Sequence, residues 1–122
     1  MEELTKTEER VMQILWDLKN AFVKDIIELL PDDPKPPYNT ISSVVRLLEK
    51  KGYVSYKAYG KTYEYFTLIS KAAYKKAFFS RMISGYFDNS LESFLSFMVK
   101  EEELKADDIK KIKDMIDQNS KK

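Results

Sequence analysis

The stretch that decides the fold is residues 38–61, YNTISSVVRLLEKKGYVSYKAYGK. An apolar series at helical spacing ends at Gly52, a C-terminal stop, which predicts a helix from about Asn39 to Lys51. The inward series is Ile41, Val44, Val45 and Leu48, and the outward face is Thr40, Ser43, Arg46 and Lys50. Aromatic and β-branched residues around the turn at Gly60 then predict a hairpin of two antiparallel strands of about five residues each.

The same stretch is locally cationic. It holds five basic residues and one acid, Glu49, for a net charge of +4, whereas the whole chain is +1. The other residues carry 16 basic and 19 acidic side chains, a net charge of −3. A cationic patch on a mildly acidic body is typical of a surface that meets a polyanion. Charge alone leaves an alternative open, since a solvated helix face rich in Ser, Thr, Lys and Arg also occurs in proteins that never meet nucleic acid.

Two helices are predicted before this stretch. Thr5 and Glu8 fit the S/T-x-x-E capping box and open a helix that should end near Asn20. A second helix is predicted from about Val23 to Leu30, and the run PDDPKPP (31–37) stops it, because four prolines in seven positions cannot continue a helix. Three helices and a hairpin within about 70 residues is the order of a winged helix-turn-helix, in which the third helix enters the DNA major groove.

The side chains of the predicted third helix and hairpin suit DNA. Arg46 is long enough to reach guanine O6 and N7, and the short polar side chains around it allow close approach to bases and phosphates. Lysines at the helix end, including Lys51, and on the hairpin would neutralise phosphates and release counterions. The predicted DNA-binding residues are Asn39, Thr40, Ser42, Ser43, Arg46, Lys50, Lys57 and Lys61.

Aromatic side chains are frequent on the predicted hairpin: Tyr53, Tyr56, Tyr59, Tyr63 and Tyr65. Tyrosines can stack on bases, as they do in proteins that bind single strands. Most of these are instead expected to be core or cross-strand residues, because aromatic pairs stabilise a small sheet and buried rings seat it on the helices. Trp16 is likewise expected in the core.

Residues 71–122 show no strand signal. Three helices are expected there, at about 71–87, 90–101 and 106–118. We place a domain boundary near Ser70, which separates a winged-helix DNA-binding domain at 1–70 from an all-helical dimerisation segment. The predicted fold class is therefore mainly α with a small β-hairpin.

The helical segment carries more aromatic surface than about 50 residues can bury alone. A second copy of the chain is the simplest cover, because two-fold homodimers are the commonest oligomers and match an inverted repeat in DNA. The alternative is a monomer whose helices fold back over the winged domain. The predicted dimerisation residues are Phe78, Met82, Leu91, Phe94, Leu95, Met98, Ile109, Ile112 and Ile116.

The composition excludes several classes of protein. The chain has no Cys and no His, so disulfides, thiolate metal sites, the commonest general base and the commonest zinc ligand are all missing. We expect no enzyme, no cofactor and no metal. No apolar run approaches the about 20 residues that span a bilayer, and the N-terminus is acidic where a signal peptide would be basic, so a cytoplasmic location is expected. The alternative function is a protein-interaction adaptor that does not bind DNA.

Several segments resemble the BlaI/MecI penicillinase-repressor family of bacterial transcription regulators. They are LTKTEERVMQILW (4–16), VKDIIELL (23–30), NTISSVVRLLEKKGYV (39–54), GKTYEYFTLIS (60–70) and SFLSFMVKEEELKADDIKKI (93–112). The resemblance implies a dimeric repressor, with a winged domain on inverted-repeat operator DNA and C-terminal helices interlocked between subunits. By position, it places Asn39, Thr40, Ser42, Ser43 and Arg46 on the recognition helix and Lys61 in the wing.

The resemblance also implies a mode of release from DNA. Family members are typically cut in their C-terminal helices, often at an Asn-Phe bond, by an antibiotic-sensing membrane metalloprotease or a factor that it activates. In this chain no Asn is followed by Phe, and the corresponding place reads Phe97-Met98, the candidate cleavage position. A copper-responsive branch of similar repressors binds metal through a cysteine cluster, and the lack of Cys excludes that mode here.

Overall fold

The structure, a computed structural model, describes residues 1–101, 105, 107–108 and 110–114. The elements are α1 Lys6–Leu18, β1 Asn20–Phe22, α2 Val23–Leu29, α3 Tyr38–Lys50, β2 Val54–Tyr59, β3 Thr62–Thr67, α4 Lys71–Tyr86 and α5 Leu91–Lys100. Residues 107–108 and 110–114 are also helical, within the third predicted C-terminal helix. This order confirms the predicted fold class, a winged helix-turn-helix followed by helices. In the ranges given above, no helix is both long and apolar enough to cross a membrane.

The first helix begins as its capping box predicts. The Thr5 hydroxyl accepts a hydrogen bond from the Glu8 backbone N–H at 3.2 Å, and the Glu8 carboxylate accepts one from the Thr5 N–H at 2.8 Å. The helix ends at Leu18, slightly earlier than expected, because Lys19 takes a positive φ of 71° and turns the chain away. A strand, β1, begins at the next residue, Asn20.

That strand, β1, is the element that the sequence did not reveal. It pairs antiparallel with β3, with Ala21 opposite Tyr65, and it completes a sheet of strand order β1-β3-β2. A strand of three residues is too short to show the alternation of side chains that identifies strands in a sequence. The hairpin itself was predicted correctly, with β2 and β3 joined at Gly60 and Lys61.

The core of the winged unit is built mainly from three helices. In α3, Ile41, Val45 and Leu48 are fully buried, and Val44 packs against the same core from its edge. Each fully buried side chain of this size contributes about 1.5–3 kcal/mol relative to an exposed one. The buried stripe of α3 therefore fixes the rotation of the helix about its own axis. The other core residues are Val11, Met12, Leu15, Ala21, Val23, Ile26, Leu30, Tyr53, Val54, Tyr65 and Tyr74.

The first turn of α4 is held by a cluster of aromatic rings. The ring of Tyr74 lies 5.5 Å from that of Trp16 and 6.0 Å from that of Tyr53, measured between centroids. Its hydroxyl donates a hydrogen bond to the Glu9 carboxylate, and the Trp16 indole N–H donates to the Ile69 carbonyl at 2.9 Å. Trp16 thus packs against the core as expected.

The chain divides into two compact units, residues 1–77 and 78–122. The predicted division near Ser70 stays a prediction. Within the second unit, Phe94 packs edge-to-face against Phe79 and Phe87, with centroid separations of 5.5 and 5.3 Å. Ser90 caps α5 by accepting a hydrogen bond from the Ser93 N–H. These ring contacts join α4, the loop after it and α5, and the buried apolar side chains in the described part of this unit are Ile83 and Leu95.

An ion pair joins the start of α1 to the end of α3. The Lys51 ammonium lies 2.7 Å from a Glu8 carboxylate oxygen and also donates to the Glu3 carbonyl at 3.0 Å. Glu8 is only 2% exposed. Burial acts to raise the pKa of Glu8, but hydrogen bonds from Lys51 and Thr5 and the charge of Lys51 outweigh it, so the pKa lies below its ordinary value. Glu8 is therefore a buried carboxylate at neutral pH.

Replacing Glu8 by Gln should lower the free energy of unfolding by about 2 kcal/mol at neutral pH, because it leaves the partly buried Lys51 without its counter-charge. A carboxylate with a depressed folded-state pKa stabilises the protein above its unfolded pKa, and this contribution is lost as pH falls through the folded value. The difference between wild type and Glu8→Gln should accordingly shrink below about pH 4. Urea unfolding across pH measures it, with the exposed Asp17→Asn as control. A difference that does not change with pH would contradict the assignment.

Candidate nucleic-acid interface

The polar face of α3 points away from the core. Because the opposite face is buried, five of the predicted residues on this helix are exposed, and Ser42 is partly buried at the edge of the face. The exposed set is Asn39, Thr40, Ser43, Arg46 and Lys50. Residues three, four and seven apart lie on the same side of a helix, so these groups form one continuous polar surface.

The hydrogen-bonding capacity of this surface is partly committed. The Ser43 hydroxyl donates to the Asn39 carbonyl at 2.9 Å, so its oxygen is left to accept a hydrogen bond from elsewhere. Arg46 and Lys50 have no salt bridge to any residue in the described part of the chain. The surface thus offers a hydroxyl acceptor beside two uncompensated cations.

The wing lies at the end of the β2–β3 hairpin. Its loop contains only Gly60 and Lys61, and Gly60 has a positive φ of 61°, as the first position of a type II′ turn requires. The Thr62 hydroxyl donates to the Tyr59 carbonyl at 2.8 Å across this loop. Lys57 and Lys61 are both exposed, and the Lys57 ammonium lies 5.4 Å from the centre of the Tyr59 ring. The hairpin therefore presents two exposed cations, Lys57 on β2 and Lys61 in the turn.

The hairpin tyrosines divide between core and surface. Tyr53 and Tyr65 are buried, as expected for residues that seat the wing. Tyr56 stacks on Tyr63 with centroids 4.4 Å apart, a cross-strand pair of the expected kind. Tyr59 is about half exposed on the opposite face of the hairpin. Four of the five tyrosines are therefore core or cross-strand residues, as expected.

The hydroxyl of Tyr65, on β3, is affected by charged groups on α3. Burial raises the pKa of its hydroxyl, the Glu49 carboxylate raises it further, and the Arg46 guanidinium acts in the opposite direction. Both charged groups lie on α3, so charges on the helix act on a hydroxyl in the middle of β3. Tyr65 remains protonated at neutral pH.

Two features of this surface were not foreseen. Lys51 was expected to contact phosphate together with Lys50. It is instead half-buried in an ion pair with Glu8, which stabilises the fold. Leu47 is 49% exposed on α3, although it was left out of the predicted outward face. Its position seven residues after Thr40 was the available signal, because that spacing returns to the same side of a helix.

Comparisons with known proteins cover nearly the whole chain. A family model described as "Penicillinase repressor" matches residues 4–118. The chain is similar to the "Methicillin resistance regulatory protein MecI" of Staphylococcus aureus, Staphylococcus epidermidis and Mammaliicoccus sciuri. Each is 25% identical over 114 residues, which is 93% of this chain and 93% of the relative. The similarity thus includes both compact units.

Replacing Gly60 by Ala should destabilise the protein by about 1 kcal/mol, because a Cβ is unfavourable at positive φ even though it would meet no neighbouring atom. Gly85→Ala is the matched control. A Cβ at Gly85 also meets nothing, but φ there is not positive and the residue lies inside α4, so the substitution should stabilise by about 0.5–1 kcal/mol. Thermal unfolding of both variants measures the two signs. A neutral Gly60→Ala would show that the wing turn tolerates another conformation.

Proposed function

The chain belongs to the penicillinase repressor family of transcriptional regulators, and on that premise we propose that it binds an inverted-repeat DNA operator as a homodimer. The outward face of α3 enters the major groove, and the wing contacts the phosphate backbone. The recognition of the family from the segments quoted above is confirmed. The site residues proposed here are the eight DNA-binding residues predicted from the sequence on α3 and the wing, and Lys51 is not among them.

The observation that carries this proposal is the uncompensated charge on the outward face of α3. Arg46 and Lys50 are exposed and have no acidic partner among the described residues. Lys57 and Lys61 add two exposed cations on the wing. Each cation that meets a phosphate releases a counterion, which drives binding and makes it sensitive to salt. An interface with a protein partner that relied on apolar contact would respond little to salt.

Dimerisation is proposed through the second unit, whose aromatic residues are only partly covered. Phe97 is 48% exposed on α5, and Phe78, Phe79 and Tyr86 are also exposed. Several predicted dimerisation residues are half-buried: Met82, Leu91, Phe94, Met98 and Ile112. Leu95 is already buried within its own chain, and Ile109 and Ile116 lie outside the described residues. Two copies that cover this surface would present two α3 helices to the two halves of an inverted repeat.

Release by a sensor protease, with cleavage at Phe97-Met98, is part of the same proposal. The bond lies inside α5, between an exposed and a half-buried side chain. A protease needs an extended substrate, so this part of the helix has to unwind locally before the bond is cut. The repressor would act in the cytoplasm, where bacterial DNA lies.

The experiment that tests operator binding is selection of bound duplexes from a random library, followed by affinity measurement at low and moderate salt. The expected result is one enriched palindrome, whose affinity falls steeply as salt increases. Enrichment of no sequence, or an affinity that salt leaves unchanged, would refute the proposed function.

Arg46→Ala should weaken binding to the selected palindrome by about 1–3 kcal/mol and leave binding to random duplexes much less affected, because Arg46 is proposed to read a base. Lys61→Ala should weaken binding to both kinds of duplex similarly and reduce the salt slope, because it is proposed to contact phosphate. Fluorescence anisotropy titrations over a range of salt measure both. Equal losses for Arg46→Ala on specific and random DNA would remove it from the base-reading residues.

The free protein should behave as a dimer in sedimentation at micromolar concentration, with twice the chain mass of 14.4 kDa. Phe97→Glu should shift it toward monomer, because a carboxylate would be buried in the proposed interface without a partner. Leu68→Glu is the control, since Leu68 is exposed in the first unit and should leave the dimer intact. A monomeric wild type, or identical behaviour of the two variants, would contradict this part of the proposal.

A further inference from the structure

Leu47 is an apolar side chain on the otherwise polar, exposed side of α3. Its neighbours there are Thr40, Ser43 and Lys50, at seven and four residues before it and three residues after it. The adjacent residue Leu48 is fully buried, and so is Val45. Because those two side chains already fix the rotation of α3, Leu47 cannot turn into the core. Its exposure is imposed by the helix.

A single exposed leucine is common in proteins and needs no explanation by itself. Leu47 differs in its surroundings, because Ser43 and Lys50 are its neighbours one turn before and one turn after it on the helix, on the face proposed to enter the major groove. The edges of base pairs in that groove carry hydrogen-bond donors and acceptors, and one apolar group, the 5-methyl of thymine. An apolar side chain on a groove-reading helix therefore has one base substituent that complements it.

We propose that Leu47 is a specificity-determining residue that recognises thymine by packing against its 5-methyl group. This inference rests on the proposed function, since it requires α3 to lie in the major groove. Arg46 and Leu47 are adjacent on the helix, with Cα atoms 3.8 Å apart, and consecutive base pairs are about 3.4 Å apart along DNA. The thymine should accordingly lie within about two base pairs of the guanine that Arg46 reads.

The test compares thymine with deoxyuridine in the palindrome selected from the random library. Deoxyuridine keeps the hydrogen-bonding groups of thymine and lacks only the methyl. Substituting the thymines one position at a time, in both half-sites together, should reveal one position where wild-type affinity falls. The expected loss is about fourfold for each methyl that the protein buries, or roughly fifteenfold for the two half-sites.

Leu47→Ala completes the comparison. It should bind the thymine duplex about as weakly as wild type binds the deoxyuridine duplex, and it should no longer distinguish the two. Leu68→Ala is the matched control, because Leu68 is 58% exposed and lies outside α3. That variant should keep the full sensitivity to deoxyuridine. Indifference of the wild-type protein to deoxyuridine at every position would refute the role of Leu47 even if Leu47→Ala is poorly folded.

The outcomes separate the two proposals. If no palindrome is enriched, the proposed function fails and this inference fails with it. If a palindrome is enriched and Arg46→Ala weakens it specifically, operator binding stands. In that case, a wild-type protein indifferent to deoxyuridine at every position would overturn the role of Leu47, as would a Leu47→Ala variant that retains the discrimination.

Discussion

The burial of one face of α3 is the constraint on which the rest of the structure depends. Ile41, Val45 and Leu48 are fully enclosed by α1, α2 and the sheet, and any rotation of the helix would expose apolar surface. Ser43, Arg46 and Leu47, which lie between them in sequence, are thereby exposed to solvent. Burial of the apolar face therefore determines which side chains form the polar and cationic face, and it does so in the free protein.

Other contacts hold both ends of this arrangement. The buried Glu8 carboxylate holds the end of α3 through its ion pair with Lys51. Lys51 therefore stabilises the fold and is not part of the exposed cationic face. The short Gly60-Lys61 turn keeps the wing compact, and Tyr65 seats β3 beside the charged groups of α3. The second unit has a different character, with aromatic rings that are exposed or half-buried in the single chain.

Sequence patterns were sufficient where the determinants are local. Helical spacing identified α3 and its buried stripe, the Thr5 capping box gave the start of α1, and Gly60 marked the hairpin turn. The misses depend on contacts between distant residues. The three-residue strand β1 exists because Ala21 meets Tyr65, and Lys51 is removed from the cationic surface by Glu8, 43 residues away. Within the candidate site, Leu47 was left out of the predicted outward face, although its position seven residues after Thr40 indicated exposure.

The central claim is that the outward face of α3 and the adjacent wing form the surface that meets operator DNA. The most direct measurement is a titration of isotope-labelled protein with the selected duplex, followed by backbone amide and arginine side-chain NMR signals. Residues 39–50 and 57–62, together with the Arg46 guanidinium, should show the largest shifts, and random duplex should shift the wing more than the helix. Changes confined to other surfaces, with the signals of α3 unaltered, would contradict the claim.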